Sequence, residues 1–369
     1  MIKWTKKANA QLPQDYLNVD PQLSEWSEIE KDFVGGGLLM GNGFSQAVWE
    51  KFGYQSIYKA ACDGEYTNHP LIQEDIHLFQ SMNTSNFEMV LSHLSAAIRV
   101  NKIFGIEYSC LDKRHEHIKN ALGEAIKAVH VPWELMSDKV LLEIRNELRR
   151  YGCVYSTNYD VLPYWAIMQK PKGEGFKDFF WNPKPLPGIE QDQHFDIANS
   201  DFWGSSTKIL YLHGGLHLYR DFDTKRTYKF VNKKAANLLN ITKVPLFITE
   251  GSSEDKLKAI RESDYLNFAY SQLLRHSESL VIFGHSLSDS DQHLIDAIRK
   301  SNTKKIAISI RKSNTPEAIM HRKAKLIRDF CDGLRYKDKP QIFFFDAQTH
   351  PLGSSNIRVD EEAYYARPF

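Results

Sequence analysis

The sequence predicts an α/β protein: an open, mostly parallel sheet with helices on both faces, plus an inserted helical module. Three observations lead there. Short apolar runs recur along the chain at lengths that suit buried strands. Amphipathic stretches at helical spacing fill one long interval between them. Several runs end in turns of glycine or small polar residues, as strands do where they pass into helices.

Residues 1–30 are polar, carry Pro13 and Pro21, and read as an N-terminal arm that packs on its own body or on a neighbouring subunit. The main domain is placed at 31–369. There Gly35 to Met40 runs straight into Gly41-Asn42-Gly43-Phe44-Ser45, a short buried strand ending in a tight turn and a helix start. Residues 71–150 read as a helical insertion. Ser85 and Glu88 fit a capping box, and Phe87, Val90, Leu91, Leu94 and Ile98 follow on one helical face. Ile118, Leu122, Ile126 and Val129 repeat the pattern, as do Leu141, Ile144 and Leu148. Strand signals resume at Cys153–Ser156 and return at Ile209–Leu212, Leu246–Ile248, Leu280–Phe283, Ile306–Ser309 and Ile342–Phe345. Between them, residues 169–207 are rich in Pro, Gly and aromatics without a clear period, and read as a long structured excursion.

A chain of 369 residues makes about two domains or one large domain with an insertion. Its 42% hydrophobic and 25% charged residues are ordinary for a globular protein and favour neither disorder nor a coiled coil. The 47 Lys+Arg against 46 Asp+Glu leave no global field to draw it onto DNA or an anionic membrane, and no direct nucleic-acid site is evident. Cys62, Cys110, Cys153 and Cys331 are far apart and form no Cys-x-x-Cys pair. That spacing argues against a zinc ribbon and a disulfide scaffold, and for the reducing cytoplasm. No run stays apolar for the ~18 residues of a membrane span.

Four strand ends carry groups suited to chemistry. Gly41-x-Gly43-x-Ser45 is an arrangement in which backbone N–H groups at a helix start meet a phosphate; read plainly, it is also an ordinary βα turn. In Ser156-Thr157-Asn158-Tyr159-Asp160, Asn158 can grip ribose hydroxyls or a water and Asp160 can orient a neighbour, or both can simply stabilise a turn. In Leu212-His213-Gly214-Gly215, His213 can act as a base near neutral pH. His217 lies four residues on, but the two glycines disfavour the helix that would make a metal pair, and no metal is expected. In Phe283 to Asp291, Gly284 and Ser286 can serve phosphates or ribose; Ser288 and Asp291 fit a capping box, and His285 and His293 fit surface or supporting positions.

These four motifs, in this order over residues 35–312, resemble the sirtuin superfamily, with its Gly-Ala-Gly-x-Ser-like turn, Asn-x-Asp loop, His-Gly motif and Gly-x-Ser-Leu turn. The whole chain is similar to a bacterial sirtuin-like family of unassigned function through Ser-Asn-Phe-Glu at 85–88, Leu-His-Gly-Gly-Leu-His-Leu-Tyr-Arg at 212–220 and Phe-Gly-His-Ser-Leu-Ser at 283–288. The resemblance implies a Rossmann-like domain that takes NAD. Gly41, Asn42, Gly43 and Ser45 would approach the phosphates, Asn158 and Asp160 would flank the nicotinamide ribose, and His213 would be the catalytic base. Gly284 and Ser286 would hold the adenosine side and Arg311 the adenine ribose. Two departures separate the chain from protein-deacylating sirtuins: it lacks their four-cysteine zinc module, and Gly53-Tyr54-Gln55-Ser56 supplies no arginine where they have Asp-Phe-Arg. Sirtuin-like proteins of bacterial antiphage defence also lack the zinc module and hydrolyse NAD. The expectation is therefore an NAD hydrolase releasing nicotinamide and ADP-ribose, held in an oligomer or by a partner such as a hexameric DNA-translocase-type ATPase. The rival readings are a non-catalytic NAD or ADP-ribose sensor and a transferase of ADP-ribose or acyl groups.

Overall fold

A computed structural model describes residues 19–53, 57–64, 69–169, 174–181, 192–197, 206–221, 223–230, 243–248, 252–312 and 315–359. In chain order, α1 (Trp26–Ile29) precedes β1 (Gly37–Met40), and α2 (Asn42–Val48), α3 (Ile57–Cys62), α4 (Gln73–Ser81), α5 (Phe87–Phe104), α6 (Ser109–Val129) and α7 (Asp138–Leu148) lead to β2 (Cys153–Ser156). After α8 (Leu162–Ile167) come β3 (Phe176–Lys177), β4 (Phe180–Trp181), β5 (Gln193–Phe195), β6 (Thr207–Tyr211), β7 (Gly214–Arg220), β8 (Thr227–Lys229) and β9 (Pro245–Phe247). The last third alternates: α9 (Ser253–Glu262), α10 (Asp264–Leu274), β10 (Leu280–Phe283), α11 (Gln292–Lys300), β11 (Lys305–Ile310), α12 (Pro316–Cys331) and β12 (Gln341–Asp346).

The main sheet has seven strands in the order β12-β11-β10-β1-β2-β6-β3, all paired in parallel. Consecutive residues Leu38, Leu39 and Met40, and Val281, Ile282 and Phe283, are all buried. Alternate side chains of a strand point to opposite faces, so burial of neighbours means that both faces are covered. The fold is thus the open parallel α/β sheet expected from the apolar runs.

One run belongs elsewhere. Leu246–Ile248, expected among the parallel strands, supplies β9, which pairs antiparallel with β7 at the edge of a second, five-stranded sheet ordered β4-β5-β8-β7-β9. The excursion at 169–207 contributes β3 to the main sheet and β4 and β5 to the second; its residues 170–173, 182–191 and 198–205 lie outside the described residues. The strand at Thr207–Tyr211 begins and ends slightly earlier than the apolar run suggests.

All the helices from α2 to α7 fall between β1 and β2, with α6 packed on α3 and α5. Phe87, Val90, Leu91 and Leu94 are buried as their spacing predicts, and Ile98 is half-buried. At the start of α5, Asn86 Oδ1 accepts the Met89 N–H at 3.3 Å, while the side chain of Glu88, the second half of the expected Ser85–Glu88 capping box, lies outside the described residues. Of the N-terminal arm, residues 1–18 lie outside the described residues. The remainder packs on its own body: Ser24 bridges to Phe345, and the buried Trp26 ring sits 4.8 Å from Phe345 and 4.6 Å from His350. No helix among the described residues is long and apolar enough to cross a membrane.

Candidate functional site

The chain runs outward from β1 through β2 and β6, then returns to β1's other side with β10, β11 and β12. Beside β1 the connections therefore reverse direction, which in open α/β sheets opens a crevice at the strands' carboxyl ends. Register brings the ends level: Met40 pairs with Phe283 and with Ser156, and Ser156 with Tyr211. The residues that follow, Gly41, Gly284, Thr157 and Leu212, consequently share one edge. A cleft of 1450 Å³ lies there, above the ~300–1,000 Å³ common for small-molecule sites and suited to an extended ligand.

Of the residues singled out from the sequence, Asn42, Gly43, Asn158, His213, Gly284, Ser286 and Arg311 line this cleft. Gly41, Ser45 and Asp160 do not, for a physical reason. The first turn interlocks with the turn after β10: Gly43 N–H donates to Gly284 O at 2.7 Å, and a Cβ on Gly41 would stand 2.6 Å from His285 Cα. Gly284 has φ +64°, and a Cβ there would lie 2.6 Å from Phe44 N. Much of the glycine content thus serves backbone-to-backbone packing, and the Gly43 amide is already committed. Ser45 is fully buried; its hydroxyl donates to Asp160 Oδ2 at 2.5 Å and accepts from Asn158 Nδ2 at 2.7 Å. Ser45 and Asp160 form a floor under Asn158, and the expected Ser45 contact with phosphate is replaced by this network.

The floor leaves one group unmet. Asn158 is 4% exposed, and its Oδ1 has no hydrogen-bond partner among the described residues. A buried acceptor without a donor costs free energy unless a ligand or water supplies one. Beneath it, Asp160 is pushed up to about 6 by burial, although the Ser45 hydroxyl and the Leu162 N–H at 2.8 Å oppose that shift.

His213 lies where the chain leaves β6 and enters β7. Gly214, at φ +76°, makes that corner, and a Cβ on it would sit 2.1 Å from Leu246 O. The His213 Nε2 is 3.0 Å from His293 Nε2 on α11, and burial holds His213 well below its ordinary range and so neutral. His293, held at about 4 by burial, places Nδ1 3.1 Å from Ser253 Oγ at the start of α9. One turn further along α9, Lys256 Nζ meets Asp291 Oδ1 at 2.9 Å. Burial opposes the Asp291 charge, yet the fields of His285 and Lys256 bring it down to about 2. The expected Ser288–Asp291 capping box is accordingly absent: Asp291 turns to Lys256 and accepts the Ser288 hydroxyl at 2.9 Å.

Arg311, exposed beyond β11, donates to Gln46 Oε1 at 3.1 Å. Arg322 of α12 reaches the carbonyls of His285 and Ser286. His217 stacks on Tyr164 at 4.9 Å, away from His213's partners. Among the described residues no group of three or more His, Cys, Asp or Glu is disposed to hold a metal ion. Of the Gly53 to Ser56 segment noted for its lack of an arginine, Tyr54, Gln55 and Ser56 lie outside the described residues.

Sequence reasoning missed Ser253, Lys256 and Arg322, the pairing of His293 with His213, and the 3-10 turns after β12 that bring Gln348, Ser354 and Arg358 to the rim. One signal was present for Ser253: Ser252 and Asp255 form a capping box that fixes the start of α9.

Residues 38–352 match the protein family described as Domain of unknown function (DUF4917). The chain belongs to this family. The DUF4917 match runs from β1 to the turns after β12, and so takes in all four strand-end motifs and the His213–His293 contact. A search of curated proteins finds no match.

Proposed function

We propose that the cleft binds NAD and that the protein hydrolyses its nicotinamide–ribose bond, releasing nicotinamide and ADP-ribose. The observation that carries this reading is the unpartnered Asn158 Oδ1 at the point where the sheet's connections reverse. Nicotinamide leaves as a neutral ring, so the protein has to stabilise an oxocarbenium-like ribose and place a water, as glycoside hydrolases do. A ribose hydroxyl or the attacking water donates to Asn158 Oδ1, and neutral His213 takes the proton. Lys256, Arg311, Arg322 and Arg358 on the wall outnumber Glu50 and Asp291, a balance suited to a diphosphate. The sirtuin-like resemblance extends the proposal to a cytoplasmic antiphage effector restrained in an oligomer or by an ATPase partner.

One observation favours a second reading, a sensor of NAD or ADP-ribose that does not turn it over: among the described residues the His213 ring bonds to another histidine and to no carboxylate. Purified protein incubated with NAD, with products separated by chromatography, decides between them. The hydrolase reading expects nicotinamide release that falls about 100-fold or more in Asn158→Ala and His213→Ala. NAD binding without nicotinamide release, in concentrated protein as well as dilute, sinks it in favour of the sensor. ADP-ribose recovered covalently on an acceptor points to a transferase.

A further inference from the structure

His213 is set in a chain of three side chains drawn from three elements. Its Nε2 faces His293 Nε2 at 3.0 Å, and His293 Nδ1 faces Ser253 Oγ at 3.1 Å. Ser253 Oγ also accepts the His293 backbone N–H at 2.7 Å, so the hydroxyl is anchored on the same residue that it serves. Tyr270 Oη of α10 donates to His293 O at 2.8 Å, and the Lys256–Asp291 contact ties α9 to the turn before α11. The two rings are 2–4% exposed, whereas Ser253 is half-buried at the outer end of the chain. His213 Nδ1 bonds to none of the described residues, and the residue lines the cleft.

Two adjacent imidazole nitrogens 3.0 Å apart need one proton between them. If His213 Nε2 carries it, His213 Nδ1 has a free lone pair, His293 Nδ1–H points at Ser253, and the Ser253 hydroxyl proton points outward. If His293 Nε2 carries it, every proton in the chain is shifted by one place, and His213 Nδ1 carries hydrogen. We propose that Ser253, His293 and His213 form a proton relay, in which Ser253 and His293 are positioning residues that set which nitrogen of His213 faces the cleft as a base. When His213 Nδ1 takes a proton from a ligand hydroxyl or water, that O–H bond breaks. The Nε2 proton passes to His293 Nε2, the His293 Nδ1 proton to Ser253 Oγ, and the former hydroxyl proton to a solvent water. One proton enters and one leaves, and neither histidine holds a net charge. That arrangement suits its surroundings: Lys256 and His285 bear on both rings electrostatically, with Asp291 and Asp296 as opposing charges. A lasting imidazolium would be opposed by burial as well.

The catalytic part of the relay rests on the NAD-hydrolase reading; the hydrogen-bonded part does not. The full-length protein labelled with ¹⁵N-histidine separates them by NMR. Ser253→Ala, which touches His293 but not His213, is expected to change the Nδ1–H to Nε2–H balance of His213, and His293→Gln to change it more. Ser253→Thr, which keeps the hydroxyl, is expected to preserve the wild-type spectrum, and thermal unfolding checks that all three variants fold. His213 resonances indifferent to both Ser253→Ala and His293→Gln overturn the relay, whether or not the protein has activity. In nicotinamide release, Ser253→Ala is expected to lower kcat about 10-fold, a fraction of a full acid–base contribution. KM should stay within about twofold, and the curved dependence of rate on D₂O fraction should become linear. Release by the wild type with kcat unchanged in both Ser253→Ala and His293→Gln overturns the relay while leaving the hydrolase standing. No release by the wild type, with the NMR coupling present, removes the hydrolase and keeps the hydrogen-bonded relay.

Discussion

Ser45 has one hydroxyl and two obligations, donating to Asp160 and accepting from Asn158. Ser45→Ala breaks both at once and leaves the Asn158 amide and the Asp160 carboxyl short of partners. The expected cost is about 1–3 kcal/mol, read as a lower urea midpoint with an unchanged slope, together with weaker ligand binding. Asp160 makes a second prediction, whose sign is the reverse of the usual carboxylate's. Burial raises its folded pKa from 3.8 to about 6. Between those values the folded state binds more protons than the unfolded one, so this group's contribution falls as pH rises through the window and is level above it. The drop amounts to about 3 kcal/mol. Subtracting the stability–pH curve of Asp160→Asn from that of wild type should show it, and a flat difference from pH 4 to 6 would contradict the assignment. Neither role was legible in the sequence: Ser45, Asn158 and Asp160 were visible as polar residues at strand ends, but a side chain's choice between ligand and neighbour depends on a partner 113 or 115 residues away.

The corner between β6 and β7 makes the sharpest prediction at the level of elements. Gly214→Ala would put a methyl group 2.1 Å from Leu246 O at a backbone angle of φ +76°. Strain and overpacking together cost about 3 kcal/mol, to be read in thermal or denaturant unfolding. Weakened pairing to β9 should accompany it, seen as faster amide exchange at Ile248, whose N–H donates to His213 O at 2.8 Å. The strands of the parallel sheet could be found from the text because both their faces are buried. The same property concealed β9: Pro245, Leu246 and Phe247 are all buried, so their pattern is that of an interior parallel strand. Its antiparallel pairing with Gly214 and Gly215 is a long-range choice without a local signal. The helix starts were subject to a smaller ambiguity, since adjacent Ser85 and Asn86 are both capable caps, and the Asn86 bond to the Met89 N–H follows from the realised turn.

At the scale of the whole molecule, buried histidines couple the fold to pH. Burial brings His130 down to about 4 and His350 to about 3, from 6.5. Their unfolded forms therefore bind protons that the folded forms refuse. Stability is fully present above about pH 6.5 and is lost as pH falls toward those folded values, at about 2 kcal/mol per histidine by pH 5. His213, His217, His285 and His293 are shifted in the same direction. The guanidinium midpoint should drop between pH 7 and pH 5, with unfolding at pH 5 taking up nearly one proton for each such histidine; a midpoint insensitive to this change would contradict the burial of His130 and His350. The composition gave 14 histidines but not which ones the fold would enclose. The overall architecture was readable because the strand ends, their order and their turns all point to one edge, whereas the Ser253–His293–His213 chain unites segments 40 and 80 residues apart. The corner at His213 has one more consequence. The residue sits on the covalent seam where one sheet hands the chain to the other, with β9 gripping its far side. A displacement of the second sheet would therefore act on two wall residues of the cleft through the backbone alone, His213 just ahead of β7 and Ile248 just after β9.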